Sequence, residues 1–155
     1  MSKSLYERDI VLWATEQARA LREAGVAQLN VPAPIDWDNV AEEIESLGRS
    51  ERSALRSRLA VIIEHLMKLQ VSPAEPPRND WMDSIDLQRR EIEYLLEDSP
   101  SLRREVGNMI GKETPRARRT VLRTLTRHGE QPATDLNQLS HTEEQVLGDW
   151  FPPRA

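Results

Sequence analysis

Apolar residues recur at helical spacing along this chain, and no run of alternating β-branched residues marks a strand. Ser4-Leu5-Tyr6-Glu7 has the form of a capping box, in which Ser4 accepts from the backbone three residues on and Glu7 reaches back. Tyr6, Ile10, Trp13, Leu21 and Ala24 then form a stripe that stops at Gly25, so the pattern predicts a first helix over about 5–24. Val26 to Ile35, with Pro32 and Pro34, reads as a connecting loop. Asp36 caps the next helix, whose stripe of Val40, Ile44 and Leu47 runs on through Leu55, Leu59, Ile62, Ile63, Leu66 and Leu69. The helical phase survives across Gly48. One long helix and two helices broken there both fit, and Ser50 as an N-cap favours the break.

Three prolines in Val71–Asn79 exclude helix there. A helix follows from Asp80, with Trp81, Ile85, Gln88, Ile92, Leu95 and Leu96 on one face. Ser99-Pro100, an N-cap followed by proline, restarts the chain. Leu102, Val106, Met109, Ile110, Val121 and Leu125 share the next stripe. Gly107, Gly111 and Pro115 interrupt it and predict a kink or short break near Thr114-Pro115, and Gly129 closes it. Thr142-Glu143-Glu144-Gln145 is a second capping box, for a short helix ending near Gly148, with Trp150-Phe151 folded back behind it. These elements predict an all-α fold. The expected architecture is one helical domain over 1–155, a bundle of four or five helices plus a short C-terminal one, with proline-rich loops at 31–35 and 71–79.

Composition narrows the class. The chain has 155 residues, 38% hydrophobic and 30% charged, a globular balance. It contains no cysteine, which excludes disulfides, thiolate metal sites and cysteine nucleophiles. No window is apolar enough for a membrane span, and the charged opening sequence does not read as a signal peptide, so a cytoplasmic protein is expected. The net charge of −5 is unevenly spread: Asp36–Glu51 carries −5 and Arg103–Arg127 carries +6.

Several blocks resemble a known bacterial family. They are Asp9 with Trp13, the run Val40-Ala41-Glu42-Glu43-Ile44-Glu45-Ser46-Leu47-Gly48-Arg49-Ser50-Glu51-Arg52, and His65-Leu66-Met67-Lys68. Trp81 with Ile85, Gln88-Arg89-Arg90 and Glu91-Ile92 continue the pattern. Asp98-Ser99-Pro100-Ser101-Leu102 and the tail Asp149-Trp150-Phe151-Pro152 complete it. Together they resemble the DUF29 family over nearly the whole chain. The resemblance implies a helical bacterial domain, common in cyanobacteria and proteobacteria, with no assigned activity. The chain departs from it by extra proline-containing residues at Val31–Ile35 and by Gly107, Gly111 and Pro115.

Candidate chemistry is sparse. Glu43 and His65 sit on the shoulders of their apolar stripes, and an antiparallel pairing of two helices would let them meet as a carboxylate–imidazole pair, either a site or a contact fixing helix register. Gln88 lies within an apolar stripe beside Arg89 and Trp81. A buried amide needs a partner, expected to be a glutamate or histidine of the opposite helix, so Glu43, His65, Trp81, Gln88 and Arg89 form the candidate polar cluster. It reads as a structural network or as the floor of a small-ligand pocket. No histidine has the Glu-x-x-His spacing of di-metal bundles, so no metal and no cofactor are expected. Nucleophile elbows and glycine-rich phosphate loops are also absent.

Arg116, Arg119, Arg123 and Arg127 share one helix face, a possible phosphate or partner surface. The acidic total charge and the lack of aromatics beside the strip argue against nucleic acid. Residues alone name no activity. The leading expectation is a non-catalytic interaction or regulatory protein, with protein partners or self-association and no membrane. The alternatives are a ligand-binding or enzymatic bundle on the polar cluster, and a weak nucleic-acid binder on the arginine face.

Overall fold

The computed structural model describes residues 2–27 and 35–154. Among the described residues six α-helices follow one another: α1 Leu5–Arg8, α2 Ile10–Ala27, α3 Trp37–Val71, α4 Arg78–Asp98, α5 Val106–Arg127 and α6 Glu143–Leu147. Short 3₁₀ turns cover Pro100–Glu105 and Leu136–Gln138, and there is no strand among the described residues. The all-α expectation holds. Most of the proline-containing loop near 31–35 lies outside the described residues. The chain gathers into two compact units, Met1–Ala54 with Leu95–Arg103, and Leu55–Tyr94 with Arg104–Ala155.

In the first unit, the expected single helix over about 5–24 is two. Asp9 is extended (φ −159°, ψ 95°) and caps α2 by accepting from the Leu12 N–H at 2.8 Å. Its carboxylate also accepts from the Ser101 backbone N–H at 2.6 Å and the Ser101 hydroxyl at 3.0 Å, and Asp9 is buried. A carboxylate that closes a helix start and a distant turn at once outweighs unbroken helical phase. The Ser4–Glu7 capping box forms as expected. Gly25, expected as a helix end, lies inside α2. A Cβ there would stand 2.6 Å from Trp37 Cβ, so glycine permits close approach of α2 and the start of α3 rather than termination.

The buried faces of α2 and of the start of α3 are set by small residues. Val11, Ala14 and Ala18 are buried on α2, and Ala41 and Gly48 on α3. Val40, Leu47 and Tyr6, expected in the core, are exposed. Small side chains let two helix backbones approach, and the larger apolar residues are rotated outward.

α3 is one helix of 35 residues, so the favoured break at Gly48 does not occur. At 1.5 Å per residue it spans about 52 Å. Its later half supplies the core of the second unit: Leu55, Leu59, Ile62, Ile63, Leu66 and Met67 are inaccessible to solvent. Ile85 and Ile92 of α4, Leu102, and Val106, Ile110, Val121 and Leu125 are buried as their stripes predicted.

α5 also runs unbroken, with Pro115 inside it. Proline removes the hydrogen bond to the carbonyl of Gly111 and crowds it; both residues are exposed, so water can serve that carbonyl. Thr114 Oγ1 donates to the Ile110 carbonyl at 2.7 Å in the same turn. Gly129 (φ 67°) ends α5 as expected. The Glu130 N–H donates to the Leu125 carbonyl (2.9 Å) and the Gly129 N–H to that of Thr126 (3.1 Å), a Schellman arrangement. Thr142 and Gln145 form the predicted capping box of α6.

Candidate functional site

The five residues of the expected polar cluster do not converge. Glu43 and His65 belong to the same continuous helix. The antiparallel pairing that would join them therefore has no second helix to form from. Glu43 is exposed, and its carbonyl accepts from the Ser46 hydroxyl at 2.6 Å. His65 is half-buried, with Nδ1 2.7 Å from the Val61 carbonyl one turn back. That geometry requires the proton on Nδ1. Burial pushes its pKa below the usual value, and the bond to Val61 opposes the shift.

Gln88 is half-buried on α4, and its partner is an arginine rather than a glutamate or histidine. Arg58 Nη1 of α3 donates to Gln88 Oε1 at 3.0 Å, and Arg58 also lies 3.7 Å from Glu91. This is a polar seam between two helices, in keeping with the register-fixing reading.

Arg89 points the other way. It is 5% exposed and holds the C-terminal segment: Nε donates to the Val146 carbonyl at 3.0 Å, and Nη2 to those of Gln145 (2.8 Å) and Trp150 (2.7 Å). Its guanidinium lies over the Phe151 ring at 4.9 Å. Gln145 and Val146 sit in the last turn of α6, where carbonyls lack intrahelical donors. Burial pushes the Arg89 pKa down, and Asp86 and Asp149 push it up.

His141 is buried and serves the same segment. Its Nε2 is 2.7 Å from Gln70 Oε1, and its ring lies 6.0 Å from that of Trp150. Burial, with Arg118 nearby, lowers its pKa to about 4. Arg118 donates to the Leu139 carbonyl at 2.6 Å. The tail is thus folded back as expected, held by cation-to-carbonyl contacts.

Trp81 lines a separate cleft of about 280 Å³ with Lys68, Ser72, Pro77, His128 and Glu130. The Lys68 ammonium stands 5.9 Å from the Trp81 ring centre, and Ser72 Oγ donates to Glu130 at 2.9 Å. Glu43, Gln88 and Arg89 are not among its walls. Among the described residues no group of three or more histidines and carboxylates is arranged to hold a metal ion. No described helix is long and apolar enough to cross a membrane.

The arginine face is fully formed. Arg116, Arg119, Arg123 and Arg127 are exposed on α5, and Lys112 joins them. The five cations occupy about 80° of the helix circumference over roughly 22 Å. Arg116 pairs with Glu113 at 2.8 Å; among the described residues no carboxylate lies within ion-pair distance of the other four. In the acidic segment, by contrast, Glu42 and Glu45 are answered by Arg22 (3.6 and 2.7 Å), and Glu42 also by Arg49 at 2.7 Å. Hydrogen bonding to Arg22 holds the Glu45 carboxyl below its ordinary range.

No curated protein matches the chain. Among solved structures, it resembles the crystal structure of an alpha-helical protein of unknown function from Rhodospirillum rubrum. The TM-score is 0.79 at 25% identity, covering 97% of this chain and 94% of that one. The model of the domain of unknown function DUF29 matches residues 5–151, and the chain belongs to that family.

Proposed function

We propose that the protein is a non-catalytic interaction protein that presents the basic face of α5 to an acidic segment of a protein partner. One observation carries this reading: of five aligned, exposed cations, Lys112, Arg119, Arg123 and Arg127 have no counter-charge among the described residues. Neighbouring cations on such a face stand about 5–6 Å apart, inside the ~8 Å Debye length at physiological salt, so their potentials add. A carboxylate-rich partner would gain from that field without needing a pocket. The chain's net charge of −5 and the absence of aromatic residues on the face favour a protein partner over nucleic acid. The cysteine-free composition and the likeness to a Rhodospirillum rubrum protein support a bacterial, cytoplasmic setting.

The test is fluorescence anisotropy with a labelled oligoglutamate and, separately, a short DNA duplex. Both are titrated with the wild type and with a variant carrying Arg116→Gln, Arg119→Gln, Arg123→Gln and Arg127→Gln. The wild type should bind the peptide more tightly than the duplex, and the variant should lose at least about tenfold in peptide affinity. Peptide binding that is absent, or unchanged in the variant, sinks the proposal. Micromolar duplex binding lost in the variant, with a log–log salt slope near about −3.6, would make the face a phosphate-tracking one instead.

A further inference from the structure

Two arginines of the second unit are buried to a similar degree, and the fold treats them oppositely. Arg89, 5% exposed, meets three backbone carbonyls. Arg78, the first residue of α4, is 9% exposed. Its backbone N–H donates to the Glu75 carbonyl at 3.2 Å, but its guanidinium has no acceptor and no carboxylate partner among the described residues. Most of the side chain is buried, but its guanidinium nitrogens still reach solvent, so the charge is hydrated and open to an acceptor that enters from there.

Arg78 lines a cavity of about 330 Å³ between the end of α3, the proline-rich turn and the start of α4. The other polar groups around that cavity are donors or are already engaged. Gln70 Oε1 is taken by His141, which leaves the Gln70 amide N–H groups as donors. Ser72 Oγ donates to Glu130 and accepts from the Ala74 N–H at 3.2 Å. Glu75, the one carboxylate of the lining, lies 3.7 Å from Arg154, a second cation on the same cavity. The side chains of the lining carry two cations, Arg78 and Arg154, against the one carboxylate of Glu75, a net positive charge.

We propose that this cavity is a binding site for a small oxyanion-bearing molecule, a carboxylate or a phosphate, with Arg78 as its anchor. The guanidinium fork matches two oxygens of either group, and the Gln70 amide supplies a further donor from the facing helix. The cavity is separate from the basic face of α5, so either assignment can fail without the other.

The full-length protein is tested by calorimetric titration and thermal unfolding with inorganic phosphate and with succinate, against sodium chloride at matched ionic strength. One of the two anions should bind at a single site and raise the melting temperature above the chloride reference, and which one does so identifies the oxyanion. Arg78→Met should lose at least about tenfold in affinity while unfolding, without anion, at the wild-type temperature or higher, because it removes a charge that lacks a partner. Arg78→Lys, which keeps the charge but not the fork, should also bind more weakly. The four-glutamine variant of α5 should bind as the wild type does. The proposal fails if neither anion differs from chloride, or if Arg78→Met binds undiminished. It also fails if Arg78→Met does not fold while Arg78→Lys binds at full strength.

Discussion

Replacing Arg89 by methionine keeps most of the side-chain stem and removes the three contacts that hold the C-terminal segment. Each hydrogen bond from a charged donor contributes roughly 1.5–3 kcal/mol, so three would sum to about 4.5–9 kcal/mol if the carbonyls of Gln145, Val146 and Trp150 stayed buried without donors. They need not stay. The last turn of α6 and the tail beyond it can lift away and hydrate, which limits the loss to what tail packing contributes. Phe151 over the guanidinium and the half-buried Trp150 make up that packing, and the net cost should be about 3 kcal/mol. That is a large share of the 5–15 kcal/mol typical of a folded domain. Urea unfolding followed by circular dichroism gives the stability, and tryptophan emission reports release of Trp150. Arg89→Lys should fall between, since an ammonium cannot reach carbonyls from two separate nitrogens as Nε and Nη2 do. If Arg89→Met stays within about 0.5 kcal/mol of the wild type with Trp150 emission unchanged, these contacts do not hold the tail.

Gln88→Leu should cost no more than about 1 kcal/mol in urea, because its partner Arg58 is one-third exposed and keeps Glu91 and water; a loss beyond twice that would mean the amide does more than bridge two helices. His141 has its pKa lowered from 6.5 to about 4 in the folded state, so below pH 6.5 the unfolded chain takes up a proton that the folded one refuses. Its contribution is thus intact above pH 6.5 and shrinks by up to about 3 kcal/mol as pH falls to 4, a slope that His141→Gln should remove and whose persistence in that variant would point to other groups. Gly25→Ala should destabilise by about 1–3 kcal/mol despite alanine's better helix propensity, since its Cβ would lie 2.6 Å from Trp37 Cβ; a thermal melt at or above the wild-type temperature would show that Trp37 moves freely aside.

Helices announced themselves wherever apolar stripes met large residues. Leu55 to Leu69, Ile85 to Leu95 and Leu102 to Leu125 are buried on the faces their spacing assigned. The stripe failed where helices meet through small residues, because Ala14, Ala18, Ala41 and Gly48 carry little hydrophobic signal while exposed Val40 and Leu47 carry much. Local signals misled where a tertiary partner decided the outcome: Asp9 breaks a helix to serve Ser101, and Gly25 gives way to Trp37 rather than ending one. The polar cluster was less legible still. Joining Glu43 to His65 required two helices where continuous phase across Gly48 makes one. Arg89 binds backbone carbonyls, which leave no residue signature at all. The alignment of Arg116, Arg119, Arg123 and Arg127, a matter of helical period on an exposed surface, is the same in sequence and structure.

The chain passes between its two compact units at 54/55, 94/95 and 103/104, and each crossing lies inside a helical element: α3, α4 and the turn Pro100–Glu105. Neither unit is therefore a contiguous stretch of sequence, and no loop serves as a tether between them. A protease cutting the turn at 72–77 would nick one unit from within rather than separate the two. A fragment ending at Ala54 would keep Asp9 but lose Ser101, leaving a buried carboxylate without two of its donors. Natural shuffling of either half alone is disfavoured by the same geometry.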